Sequence, residues 1–380
     1  MRHDKVIPIA HPVFAGNERK YVNECLDTVW ISSAGKFIGL FEDTFARFCE
    51  VPFAISCNNG TSALHLALLA LGVGTGDEVI VPTLTYIATA NAVRYCNATP
   101  VLVDSEPRTM NVDPAGIEER ITSKTKGIIA VHLYGHPCDM DPILAMARKH
   151  NLFVLEDAAE AHGALYRGIK VGSIGDAATF SFFGNKIVTT GQGGMITTRD
   201  GALAQKMQLL RGQGMDLDRR YWFPVVGHNF RMTNIEAAIG LAQMENVELH
   251  LADRRRVADW YHKHLAPLQQ WLTLPVEEPW ANHSFWIYTI LLNSGVTIER
   301  DEFMRRLAAM GIETRPVFYP MHVMPPYREP DGSYPVAESL ASRGVSLPTH
   351  GLLTEEDVAF IAGAIRTVCA STTKSVVVVR

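Results

Sequence analysis

A single lysine, Lys186, stands between two apolar runs, 178–182 and 194–197, that read as buried strands. Lysine is seldom buried without a partner. Burial disfavours its ammonium form and lowers its pKa, which is what an amine nucleophile needs to form a Schiff base. The plain alternative is a solvated loop lysine. Its flanks argue for chemistry, because Ser181, Thr189 and Thr190 supply hydroxyls and the turn from Gly191 to Gly194 lets backbone N–H groups approach an anion.

Other segments could meet that lysine at one ligand. The stretch Leu155-Glu156-Asp157-Ala158-Ala159-Glu160-Ala161-His162-Gly163 ends an apolar strand with an acid at its carboxyl edge. A carboxylate there can keep a ring nitrogen protonated and make the ring an electron sink, or it can simply cap the next turn. Asn58-Asn59-Gly60-Thr61-Ser62-Ala63-Leu64 follows a strand and opens a helix. Such a helix start is an anion site through its N–H groups and dipole, or an ordinary N-cap. Tyr86, just past a third strand, either stacks on a flat ring or fills the core. No Gly-x-x-x-x-Gly-Lys-Ser/Thr sequence occurs, which excludes an NTP P-loop. Gly72-Val73-Gly74-Thr75-Gly76 precedes a strand instead of a helix, the wrong order for a dinucleotide fingerprint, and reads as a turn. His132 and His136 have the spacing of a metal pair, but Gly135 and Pro137 break any helix that would align them, so no metal is expected.

Ser181-Phe182-Phe183-Gly184-Asn185-Lys186, followed by Thr189-Thr190-Gly191-Gln192-Gly193-Gly194, resembles the pyridoxal-phosphate lysine motif of the DegT-type nucleotide-sugar aminotransferases. The resemblance runs from about Pro8 to Ala370. It implies a fold-type I α/β architecture, with a large, mostly parallel sheet covered by helices and a smaller C-terminal α+β domain. It also implies pyridoxal 5'-phosphate as cofactor, held by Lys186. Asp157 falls where the family pairs the pyridinium nitrogen, and Glu160 where it has Gln or Glu near the phenolic oxygen. Tyr86 takes the ring-stacking position, while Thr61, Ser62 and Ser181 take the phosphate positions. Asn229, in Gly227-His228-Asn229-Phe230-Arg231-Met232, matches a residue that reaches the neighbouring subunit's cofactor, which implies a homodimer with shared sites. The loop Glu313–Pro320 resembles the family's substrate loop, so Arg315 and Tyr319, with His162, become the expected substrate contacts; from the residues alone, His162 is as well read as a core histidine. Gln192 departs from the family, which usually has Glu there.

The implied reaction moves the amino group of L-glutamate to a nucleotide-linked keto sugar. The wording of 181–186 leans to members that aminate C4 of GDP-4-keto-6-deoxymannose. TDP- or UDP-linked sugars, aminated at C3 or C4, remain the alternative. Related dehydratases carry His where this chain has Lys186, and a regulatory cofactor-binding protein is a remote third reading.

Composition fits a globular enzyme. Of 380 residues, 47% are hydrophobic and 20% charged, and the net charge of −5 gives no footprint for nucleic acid. The dense basic run Arg254-Arg255-Arg256 lies in a helical pattern and reads as a solvated or interface face. The six cysteines are scattered without a Cys-x-x-Cys pair, pointing to a reducing compartment and a cytoplasmic location. No signal peptide and no membrane span are read.

The elements that must position these residues follow from pattern. Phe37, Phe41, Phe45 and Phe48 mark one face of a helix. Strands are expected at 53–57, 78–81, 99–103, 127–131, 153–156, 178–182 and 194–197, with helices at 62–71, 85–95, 114–122 and 142–150 between them. That alternation predicts a parallel sheet with ligands at its carboxyl edge, and some antiparallel pairing among the last three strands. Helices at 233–248 and 251–265, a strand at 285–292, and helices at 301–309 and 354–368 complete the chain. The expected division is a large cofactor-binding domain, 1–250, and a small domain, 251–380, with a tail that frays from Ser371.

Overall fold

The computed structural model describes residues 6–330 and 332–371, so the tail expectation falls almost wholly outside the described residues. In chain order the strands are β1 Phe53–Cys57, β2 Glu78–Pro82, β3 Thr99–Val103, β4 Thr125–Val131, β5 Phe153–Asp157, β6 Leu165–Tyr166, β7 Ile169–Lys170, β8 Ala177–Ser181 and β9 Gly194–Thr198. Then come β10 Leu272–Thr273, β11 Ala281–Asn282, β12 Tyr288–Leu292, β13 Arg315–Pro316 and β14 Gly344–Leu347. The main sheet has seven strands in the order β1-β9-β8-β5-β4-β2-β3. Pairs β2–β3, β2–β4, β4–β5 and β5–β8 are parallel. Strand β9 runs antiparallel to both β8 and β1, so the expected antiparallel element is one strand inserted near the sheet's edge. A four-stranded antiparallel sheet, β10-β12-β14-β13, gathers the later strands.

These strands lack polar alternation because helices cover both faces; β4 and β5, for example, are buried along most of their length. On one face, the helix Lys36–Phe48 buries Phe37, Phe41 and Phe45, as their spacing predicts, whereas Phe48 is only partly covered. Phe45 meets Phe180 and Phe182 of the lysine segment edge-on, with centroids at 4.8 and 5.3 Å. This aromatic wedge holds the strand that delivers the lysine. Phe45 is fully buried, so Phe45→Ala removes a core ring and leaves a cavity behind β8. It should destabilise the protein by about 3–5 kcal/mol, read by urea denaturation.

Several boundaries differ from expectation for local reasons. The helix expected from residue 85 begins at Ala88, leaving Tyr86 in the loop after β2. The strand expected from residue 285 begins at Tyr288, because Phe285 sits at φ 48°, a left-handed conformation that an extended strand does not admit. Pattern reading misses the helices Gly201–Arg211 and Pro335–Arg343. The first buries only Ala204 and Met207, too thin a stripe to register as periodic. It also misses β14, which follows directly on the second helix without a turn signal.

Candidate active site

The parallel strands end at a cavity of about 530 Å³, at the edge where open α/β sheets take ligands. Thr61, Ser62, Tyr86, Asp157, Glu160, Ser181 and Lys186 all line it. Several elements place them there: β5 ends on Asp157 with Glu160 in the loop after it, β8 ends on Ser181, the helix Gly60–Ala70 starts beside them, the loop after β2 carries Tyr86, and the turn after β8 carries Lys186.

The Lys186 side chain is only 10% exposed, and its Nζ lies 3.7 Å from Glu160 Oε1. Burial lowers the pKa of the amine, and the charges of Glu160 and Asp157 only partly oppose that. Burial likewise raises the Glu160 carboxyl, to about 7, against the pull of Lys186 and of the Tyr134 N–H, which donates to Glu160 at 2.8 Å. Both shifts favour the neutral amine, the nucleophilic form.

The Glu160 shift has a stability consequence. The folded-state pKa lies above that of an unperturbed carboxyl, so folding disfavours the carboxylate, and this group's contribution falls as pH rises from about 4.5 toward 7. Glu160→Gln removes the charge and keeps an oxygen for the Tyr134 N–H. The variant should match the parent near pH 4 and exceed it in stability above pH 7, as read by urea denaturation at the two pH values.

Asp157 is buried at the floor. Its Oδ2 accepts from Thr89 Oγ1 at 2.8 Å and its Oδ1 from the Ala159 N–H at 3.3 Å. Burial raises this carboxyl too, and the charge of Lys186 is a smaller, opposing influence. No cation lies within ion-pairing distance of it among the described residues, so its charge has room for one cationic N–H from a ligand. At the helix start, Asn59 Oδ1 accepts from the Ser62 N–H at 2.8 Å. Thr61, Ser62 and Ser181 line the same cavity as that helix end, residue types that suit a phosphate. The space there is tight, since a Cβ added to Gly60 would stand 2.9 Å from Ser181 Cβ. Tyr86, 58% exposed, lines the cavity with its ring 5.8 Å from Phe318.

Not every expected residue arrives. His162 is fully buried against Phe45, Phe180 and Phe182, and burial lowers its pKa to about 3. It does not line the cavity, which corrects the expected substrate contact in favour of a core histidine. Arg315 is exposed and bonded to the Glu313 carboxylate at 2.5 Å. Tyr319 accepts from Arg300 Nη2 at 3.2 Å and lines a different depression with Glu338. From that loop it is Phe318 that reaches the cavity. Asn229 is exposed, accepts from Arg231 Nε at 3.0 Å, and stands outside its own chain's cavity. Gln192, where the family usually has Glu, does line it. Sequence reasoning missed Thr89, Trp286 and Phe318. The only available signal was an aromatic beside a proline-rich loop, for Phe318.

A buried amine, a buried carboxylate with no cation at ion-pairing distance among the described residues, and a helix start flanked by Thr61, Ser62 and Ser181, all at the carboxyl edge of a seven-stranded mixed sheet, are the parts of a fold-type I pyridoxal-phosphate enzyme. The chain belongs to the DegT/DnrJ/EryC1/StrS aminotransferase family, whose model matches residues 13–366. It is 60% identical to a GDP-perosamine synthase of Caulobacter vibrioides over 94% of this chain and 97% of that one. It is 50% identical to a GDP-perosamine synthase of Escherichia coli O157:H7 over 95% and 98%. Its structure is similar to that of an aminotransferase from Psychrobacter cryohalolentis, with a TM-score of 0.90 and 33% identity, covering 96% of this chain and 100% of that one. The chain is a pyridoxal-phosphate-dependent sugar aminotransferase, and the residues lining the cavity fit that cofactor.

Proposed function

We propose that this enzyme transfers the amino group of L-glutamate to C4 of GDP-4-keto-6-deoxymannose, forming GDP-perosamine for polysaccharide (O-antigen) biosynthesis in the cytoplasm. The observation that carries this reading is the 60% identity, over nearly the full length of both chains, to a GDP-perosamine synthase. A Vibrio cholerae protein of the same name, 41% identical, supports it further.

Pyridoxal phosphate, when bound, supplies an aldehyde that carries the amino group between substrates and a ring that accepts electrons. Lys186 holds it through its amine and, once released, takes the proton from Cα of glutamate and returns one to C4 of the sugar. Asp157 keeps the ring nitrogen charged. Thr61, Ser62 and Ser181 would bind the phosphate, and Tyr86 would stack on the ring. Glu160 sits beside the amine and would partner the cofactor's ring oxygen. Trp286, Phe318 and Tyr86 make one wall of the cavity apolar, so that water has little hold on the reacting atoms.

The active unit is a homodimer in this reading. Asn229 lies outside its own cavity, in a region where Leu217, Tyr221, Trp222, Phe223, Val225 and Val226 are all exposed. An apolar surface of that kind marks an interaction site, and sedimentation at micromolar concentration should give twice the chain mass.

The test of substrate choice is a comparison of kcat/KM for GDP-, TDP- and UDP-linked 4-keto-6-deoxy sugars, with L-glutamate saturating. The GDP sugar should lead by at least about tenfold, a difference a few nucleobase hydrogen bonds supply. Preference for a TDP or UDP sugar would leave the aminotransferase standing and overturn the substrate.

A further inference from the structure

Trp286 belongs to none of the sequence motifs, and it lies just before β12 of the smaller sheet, yet its ring forms part of the catalytic cavity. It is almost fully buried. Lys186 Nζ rests over this ring, 3.7 Å from its centroid. The indole N–H donates to the carbonyl of Asn185, the residue before the lysine, at 2.9 Å. The Trp286 backbone N–H donates to the Tyr134 carbonyl at 3.1 Å. Tyr134 in turn donates its N–H to Glu160, whose other oxygen faces the amine. The contacts close a ring: lysine, indole, Tyr134, Glu160 and lysine again. Tyr134 is held in a left-handed conformation, φ 55°, and its side chain is stacked between Trp286 and Phe318.

Glu160 cannot fix the amine alone. Its 3.7 Å separation is well beyond the 2.7–2.9 Å typical of a charged hydrogen bond. The indole face attracts an ammonium through its quadrupole, and more strongly where water is excluded. The hydrogen bond to Asn185 fixes the backbone from which the lysine leaves.

We propose that Trp286 is a positioning residue for Lys186, forming with Glu160 the rest site of the amine whenever that amine is not covalently engaged. The indole replaces part of the solvation that burial removes from the ammonium. Its bond to Asn185 keeps the side chain aimed into the cavity. The smaller sheet thereby supplies the wall on which the lysine waits, while the main sheet supplies the carboxylates. This deepens the reading of Lys186 as the catalytic amine and rests on it.

Other charges face the amine and must be constant in any test. Asp157 and Glu160 act from β5 and the loop after it, and His162 lies behind them. On the other side Lys186 shares a small depression with His11, His250, Asp253 and Arg254. None of these is changed by substitution at Trp286.

The experiment uses cofactor-free protein and reads the Lys186 amine itself. Its acetylation by acetic anhydride is followed against pH by mass spectrometry of the peptide that carries it. The apparent pKa should fall in the order Trp, Tyr, Phe, Leu at position 286, with Trp286→Leu lower than the parent by about 1. A bystander in the wall would change thermal stability and leave that pKa where it was. If Trp286→Leu does not fold, by circular dichroism, the three aromatic proteins still form a graded series. A flat series in folded protein overturns the proposal. Turnover in Lys186→Ala would instead overturn the role of the lysine, so the two failures are distinguishable.

Discussion

Lys186→Ala should lower the rate of transamination by roughly 10³-fold or more, since one substitution removes both the nucleophile and the proton-moving base. The loss is expected in kcat, measured as 2-oxoglutarate formed from L-glutamate. Folding should survive. The ammonium is buried, its nearest carboxylate oxygen is 3.7 Å away, and burial already lowers its pKa, so the charge contributes little to the fold. The variant should therefore unfold at the same or a higher urea concentration than the parent. A folded Lys186→Ala protein within tenfold of parental kcat would end the assignment. Lys186→Arg should be equally inactive, because the guanidinium stays protonated and cannot serve as nucleophile.

Asp157→Asn should lower kcat by about 10²–10³-fold, the scale on which removing one preorganised charge acts. KM values should change little, because the side chain lies at the floor, bonded to Thr89 and Ala159. Asn keeps an oxygen for Thr89 Oγ1, so the shape of the floor persists and only the charge is lost. Burial raises the Asp157 carboxyl, so the neutral amide should be no less stable than the parent. A variant with parental kcat would mean that the ring nitrogen needs no anionic partner here.

What the sequence discloses of this site follows a physical pattern. Asp157, Ser181 and the Asn59–Ser62 helix start were legible because each lies at or just past the end of a short apolar strand, and Lys186 because it is the charge in the polar break between two such strands. The parallel sheet was legible for the same reason. Thr89 was not, because it lies within a helix, and only the tertiary path of that helix brings its hydroxyl to Asp157. Trp286 read as a strand residue; the left-handed turn at Phe285 takes it out of the strand and into the cavity. In the 313–320 loop the neighbours Phe318 and Tyr319 diverge, one into the cavity and one toward Arg300, and no pattern in the sequence decides which. His162 follows the acids of its motif, but three phenylalanines enclose it. The charge of a motif does not fix which side of a strand end its members face.

The central claim is tested most directly by isotope transfer. The purified protein is incubated with L-glutamate carrying a labelled amino nitrogen, together with GDP-4-keto-6-deoxymannose, and the sugar nucleotide is recovered. The account predicts labelled nitrogen at C4 of the sugar, in equal amount to the 2-oxoglutarate formed, and none from Lys186→Ala. Oxoglutarate without label in any sugar, or label transferred equally well by Lys186→Ala, would contradict it.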